Sequence, residues 1–225
     1  MSGIRPFCSL IGLAVAFVIG AFTVADAQTT VLRGARVIDG SGGAPLDNAT
    51  IVIRDGRIVT IGPSAGIPTP SGAEVVDYAG KTIIPGLISD HSHVGIFVGL
   101  KAAPENYSRD IILRQLKQLE AYGVTTVMAL GLNGPLFYEL RPELHAGRIP
   151  GADLFGADQG VGVVGGQPSA AVVPVGENQV SRPGTAERAR ESIRQMAARK
   201  TDMVKIWLDG AGGLMPKVPR KSIPP

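Results

Sequence analysis

The sequence predicts an α/β protein in which a small all-β layer precedes alternating strands and helices that build a parallel sheet. Three observations lead there. Short β-branched runs separated by turn residues fill Val31 to about Lys81. Beyond Pro85, apolar runs alternate with segments of helical period, the pattern of βα units. Between the two regions an apolar run, Thr82-Ile83-Ile84-Pro85-Gly86-Leu87-Ile88, ends in Ser89-Asp90-His91-Ser92-His93, as a strand does when it delivers side chains to a site. With 225 residues and 44% of them hydrophobic, the chain has apolar material for a real core.

Residues 1–27 read as a secretory signal. Arg5 precedes a nearly unbroken apolar stretch from Phe7 to Val24, and Ala25-Asp26-Ala27 offers the small residues that a signal peptidase reads. Cleavage after Ala27 is expected to leave Gln28 at the N-terminus and the chain secreted or periplasmic, without stable membrane association. The apolar stretch could also serve as an anchor, since about 18 residues just span a bilayer, but the Ala-x-Ala site argues for cleavage. The one cysteine, Cys8, leaves with this segment, so the mature chain needs no disulfide.

Residues 28–84 read as strands and turns. Val31 to Ile38 is a strand closed by Asp39-Gly40-Ser41-Gly42-Gly43, and Glu74 to Tyr78 is another. Thr50-Ile51-Val52-Ile53 and Arg57-Ile58-Val59-Thr60-Ile61 flank Arg54-Asp55-Gly56, which predicts a hairpin with an Asp-Gly turn. These residues are expected to pack a layer and carry no chemistry.

Residues 85–215 hold the βα units. After the loop from Val94 to Tyr107, Ser108 is a suitable N-cap for a helix with Ile112, Leu116 and Leu119 on its inner face and Gly123 as its stop. Gly123 to Gly131 is a continuous β-prone run, expected to be buried on both faces. Leu136–Ala146 and Thr185–Lys200 are predicted helices, the latter with Ala189, Ile193 and Met196 inward. Ala152 to Val164 reads as a strand and Gly-rich loop, and Pro168 to Gly184 as a long loop on the site side. Residues 216–225 are a Pro-rich tail without periodic pattern.

Two of the three histidines in the chain sit in one triplet. Side chains at i and i+2 of a strand share a face, so His91 and His93 can present both imidazoles to one ion while Ser92 points away. His145, near the end of a helix, reads as a solvated residue. A second chemical signal is Met203-Val204-Lys205-Ile206-Trp207-Leu208-Asp209-Gly210, an apolar strand with a lysine in its middle. A buried ammonium without a partner either loses its proton or finds a counter-charge. A neutral amine can add carbon dioxide to give a carbamate able to bridge two cations. The alternative is a lysine at a strand edge that snorkels to water. Asp209 and the glycines after it read as turn formers. The net charge of +3 is spread among acidic residues, and no basic run with interleaved aromatics marks a nucleic-acid surface.

Pro85-Gly86-Leu87-Ile88 with Asp90, His91 and His93 resembles the first metal-binding strand of the amidohydrolase superfamily, particularly its imidazolonepropionase- and prolidase-like branch. Gly123-Val124-Thr125-Thr126-Val127 is similar to the segment after that family's first barrel helix, and Val204-Lys205-Ile206-Trp207 to its lysine strand. The resemblance covers Val31 to about Lys217. It implies a (β/α)8 TIM-type barrel with an N-terminal β-sandwich layer, His91, His93 and Lys205 as metal ligands with Lys205 carboxylated, one or two divalent ions, zinc or manganese, and hydrolysis of amide, cyclic amide or Xaa-Pro dipeptide C–N bonds of a small molecule by a metal-activated water. It leaves the oligomeric state open.

The family's two later histidines and its catalytic Asp have no counterpart, since no His occurs after His145, so the catalytic residue stays unknown. A full barrel of about 250 residues plus a sandwich needs more chain than lies beyond Ala27, so the sequence corresponds to roughly the N-terminal half of such an enzyme. Two readings therefore stand: a metal-dependent hydrolase represented by an incomplete chain, and an inactive remnant of the fold with at most weak metal binding.

Overall fold

The computed structural model describes residues 28–169 and 173–208. The signal segment, the turn expected at Asp209-Gly210 and the tail 216–225 lie outside the described residues, as do residues 170–172 of the expected site-side loop. The chain is a mixed α/β structure that divides between Ile84 and Pro85 into two compact units.

In the first unit β1 (Thr29–Val37) is the central strand. It pairs antiparallel with β2 (Leu46–Arg54), and parallel with β4 (Glu74–Asp77) and the short β5 (Thr82–Ile83) at successive points along its other edge. β2 turns into β3 (Arg57–Pro63) through Asp55 and Gly56, with φ of 50° and 71°. Two consecutive positive φ values are what a two-residue hairpin turn with the twist of its strands demands, and Asp-Gly is well suited to them. Ala35, Val37, Ala49 and Ile51 are buried between the strands, with Tyr78 and Ile83 packed against them.

In the second unit β6 (Leu87–Ser92), β9 (Val124–Ala129) and β10 (Asp153–Gly156) form a parallel sheet with β9 in the middle. A small antiparallel pair, β7 (Phe97–Val98) and β8 (Lys101–Ala102), lies in the loop after β6. Each parallel step is crossed by a helix. α1 (Arg109–Ala121) starts at Ser108, whose Oγ accepts the Ile111 N–H, and ends before Gly123, which takes φ of 82°. α2 (Pro135–His145) begins with proline at its first position, where no donor is lost. α3 (Ala186–Ala198) is capped by Thr185, whose Oγ1 accepts the Arg188 N–H at 3.3 Å.

Ile112 and Leu116 of α1 and Phe137, Leu140 and Leu144 of α2 close over Val127 and Ala129 of β9 and Leu154 of β10 in one core. Met196 is the fully buried residue of α3, with Ala189 and Ile193 half-buried on its inner side.

Two expectations are corrected. β9 is buried at Val127 and Ala129, but Thr125 near its start is exposed. The apolar run before the histidines, which reads as a buried segment, is not buried either: Leu87 and Ile88 are exposed because β6 is an edge strand with β9 as its one sheet partner among the described residues. His145 is exposed at the end of α2, as expected, and its Nδ1 also meets Asp153 Oδ1 while its ring lies 4.5 Å from that of Phe155.

After β10 the backbone runs on beside residues 203–207 through isolated parallel bridges, Ala157 with Met203 and Val161 with Ile206, rather than a continuous ladder. Val161 donates to the Lys205 carbonyl at 2.8 Å and accepts from the Trp207 N–H at 3.0 Å. Asp158 is buried, and its Oδ2 receives Arg199 Nε and Nη2 at 2.8 and 2.6 Å. This pair ties β10's extension to the end of α3. Arg182 gathers the Gly-rich loop by donating to the carbonyls of Val163, Gly166, Gln167 and Pro168.

The packing makes two sites sensitive to substitution. A Cβ at Gly156 would stand 2.2 Å from the Ala129 carbonyl oxygen, a backbone atom that cannot move aside. Gly156→Ala is therefore expected to lose about 3 kcal/mol, read as a lower urea midpoint. Arg199→Met strands the buried Asp158 carboxylate. Since the Arg199 side chain is 42% exposed, the expected loss is about 2 kcal/mol, below the range for a pair buried on both sides, and Asp158→Asn in the same background should recover part of it.

Candidate metal centre

β6 does not keep strict alternation as it reaches the histidines. Ser89 pairs with Val127 and Ser92 with Ala129, so one residue more lies on β6 than on β9 between these points. This is a bulge, a device that re-aims side chains at the rim of a sheet. The Oγ atoms of Ser89 and Ser92 meet at 2.6 Å across it, and Ser92 accepts the Leu130 N–H at 3.0 Å. His91 and His93 emerge with ring centroids 5.2 Å apart, edge to face at 73°. Alternation along the strand predicts their proximity; the bulge that accompanies it leaves no sequence signal.

The two rings differ in surroundings. His91 is exposed and His93 half-buried. Burial first, and the neighbouring His91 second, hold His93 below the ordinary imidazole value; the backbone of Gly131 acts the other way, and the Lys205 charge adds to the lowering. The His93 Nδ1 is buried and has no hydrogen-bond partner. A buried ring nitrogen with no hydrogen-bond partner, on a ring whose surroundings favour the neutral form, is one that a cation can satisfy in the tautomer that leaves its lone pair free. The residues fit a metal to that extent. Among the described residues no third His, Cys, Asp or Glu joins the pair.

Lys205 comes from the other end of the sheet. Met203, Lys205 and Trp207 are half-buried, while Val204, Ile206 and Leu208 face outward and are exposed. The alternation puts the lysine on the inner side. Gly131, at the end of β9, brings it to the histidines: its backbone interacts with His93, and a Cβ there would stand 3.1 Å from Lys205 Cγ. The structure thus brings His93 and Lys205 to Gly131 from segments far apart in sequence, with the His91 ring beside that of His93.

Cavity size does not pick out this site. A cavity of about 380 Å³ touches it through Ser92 and His93, between Phe97, Gln115 and Tyr122. A larger one of about 520 Å³ lies against Pro135, Tyr138, Asp158, Asn178 and Arg199 and shares no lining residue with it. There Asp158 and Arg199 satisfy each other, and burial, then Asp158, push the Tyr138 hydroxyl up to about 12. That is the chemistry of a helix clamp rather than of a reactive group.

No family model matches the chain. It is 40% identical over 62 residues to the imidazolonepropionase of Myxococcus xanthus, covering 26% of this chain and 14% of that protein. It is 32% identical over 105 residues to the enamidase of Eubacterium barkeri, covering 46% and 25%. Among solved structures, a protein of Bifidobacterium longum provisionally described as a prolidase is 27% identical with a TM-score of 0.66, over 83% of this chain and 42% of that one. The chain thus spans less than half the length of these proteins. The fold is a mixed α/β one with two imidazoles at the end of a parallel strand, and these solved and curated proteins share part of it. The chain is similar, over part of their length, to proteins of the amidohydrolase superfamily.

The surroundings of His93 carry a pH prediction. A lowered value means that the folded chain prefers the neutral ring, so stability is unaffected above the ordinary value of 6.5 and falls as pH drops through and below it. NMR titration of the metal-free chain is expected to show His93 with a midpoint below 6.5.

Proposed function

We propose that this chain carries part of the centre of a metal-dependent hydrolase acting on C–N bonds, with His91, His93 and Lys205 as ligands of zinc or manganese. The observation that carries the reading is the buried, unpartnered Nδ1 of His93, on a ring that lies beside His91 and under the field of Lys205. A cation bound there supplies a water of lowered pKa and a Lewis acid for the scissile carbonyl.

The chain's own residues prepare for that. Burial favours the neutral His93 ring, the form that can give a lone pair to a cation. The bulge in β6 turns His91 toward it. Lys205, held on the inner side of the sheet, would add carbon dioxide at its amine nitrogen once the ammonium has given up a proton, forming an N–C bond and releasing a further proton; the resulting carbamate would supply the anionic oxygens that a divalent cation favours. In this reading the two sheets are the first strands of a β-sandwich and of a (β/α)8 barrel, whose site opens at the C-terminal ends of the strands, where β6 delivers its histidines. Amides, cyclic amides and Xaa-Pro dipeptides are the substrate class, in keeping with relatives named imidazolonepropionase, enamidase and prolidase.

One observation favours a second reading, a chain of this fold with at most weak metal binding and no activity. Among the described residues the two histidines lack a third His or carboxylate companion.

Metal analysis separates the two. The hydrolase reading expects zinc or manganese to copurify at close to one ion or more per chain. His91→Ala, His93→Ala and Lys205→Ala should each weaken binding by more than the roughly 10–100-fold typical of residues that only support a ligand. Metal absent from the wild-type chain, or retained in all three variants, refutes it. Turnover of a panel of Xaa-Pro dipeptides, cyclic amides and N-acyl amino acids then reports the substrate class.

A further inference from the structure

The chain's single tryptophan lies beside the candidate ligand Lys205, and its seat is made of absent side chains. A Cβ at Gly160 would come within 2.5 Å of Trp207 Cζ3 and 2.7 Å of Cη2, and one at Gly131 within 3.1 Å of Cη2. The same two glycines accommodate the lysine, whose Cγ would be 3.1 Å from a Cβ at Gly131 and 3.4 Å from one at Gly160. Ring and stem therefore lie side by side over the ends of two neighbouring strands, and Lys205 Nζ stands 5.5 Å from the ring centroid.

Three further constraints hold this arrangement. Both Gly131 and Gly160 take positive φ, 80° and 77°, so the backbone under the ring is one that side chains rarely adopt. Val161 grips the backbone at Lys205 and Trp207 together through its carbonyl and N–H. The indole also packs against an apolar cluster of Ile96 from the loop after β6, Ala102 of β8 and Leu132 from the loop after β9.

We propose that Trp207 is a positioning residue: its ring, slotted onto Gly131 and Gly160, fixes the stem of Lys205 so that the amine faces the histidine pair. An ordinary core tryptophan would need neither glycine, and a lysine stem has four rotatable bonds whose freedom must be removed before it can serve as a ligand. The ring removes it by leaving the stem one groove to lie in. This inference rests on the assignment of Lys205 to the metal centre, but the packing it describes exists in the metal-free chain.

The test uses the whole chain and two readouts. In the first, lysine methylene resonances of the metal-free protein are recorded with Lys205→Arg as the assignment control. The Lys205 signals are expected to be shifted upfield by the indole ring and to return to ordinary positions in Trp207→Leu; their being unshifted in the wild type would overturn the proposal. In the second, zinc is titrated into wild type, Trp207→Phe and Trp207→Leu. The leucine variant is expected to bind about tenfold or more weakly, while phenylalanine, which restores a flat ring, recovers most of the affinity. Equal zinc affinity in all three proteins overturns the positioning role. If the wild type binds no zinc, the hydrolase reading fails, and the resonance shift alone still decides whether the ring holds the lysine. Melting midpoints of the two variants within a few degrees of each other exclude simple unfolding as the cause.

Discussion

Parallel pairing on both sides of β9 is the constraint from which the rest of the second unit descends. β6, β9 and β10 run the same way, so each must be followed by a crossover before the next strand can form, and α1 and α2 supply those crossovers while burying the sheet under Leu116, Phe137 and Leu140. The same parallelism sends every strand's carboxyl end to one side. His91 and His93 at the end of β6, Gly131 after β9 and Gly160 after β10 lie on one side of the sheet for that reason, although they are far apart in the chain. The segment 203–207 joins the row through Val161 and brings Lys205 with it.

Where backbone chemistry decides the structure, the sequence is legible. Asp55-Gly56 dictates its hairpin, Ser108 and Thr185 their helix starts, and Gly123 a helix stop, because each rests on one or two residues whose dihedral or hydrogen-bonding preferences have few alternatives. The leucines of α1 and α2 declare their inner faces through period alone. The His91-His93 spacing is legible as a pair of rings that can meet, and Lys205 as a polar intruder in an apolar run.

Tertiary context is not legible. The exposure of Leu87 and Ile88 depends on how many partners β6 has, which local pattern does not encode. The bulge between Ser89 and Ser92 arises from register against β9, and nothing in Ser-Asp-His-Ser announces it. Gly131 and Gly160 look like ordinary loop glycines until Trp207 and Lys205, brought from far downstream, are found resting on them. Asp158 carries no sequence signal of its own, yet it is the buried half of an ion pair with Arg199, forty-one residues away.

One further tie closes the sheet where β9 and β10 part. Asn133 is almost wholly buried, and its amide Nδ2 donates to the carbonyls of Ala129 and Ala157, at 3.0 and 2.6 Å, standing in for the ladder that ends there. Asn133 precedes Gly134, and the pair is a dipeptide that sheds ammonia spontaneously when its backbone is free to cyclise. The native bonds oppose that cyclisation, and the aspartate it would create cannot donate to either carbonyl. Slow chemical ageing at this one amide would therefore act as a clock for how often the two strand ends come apart, and each tick would leave them without their clasp.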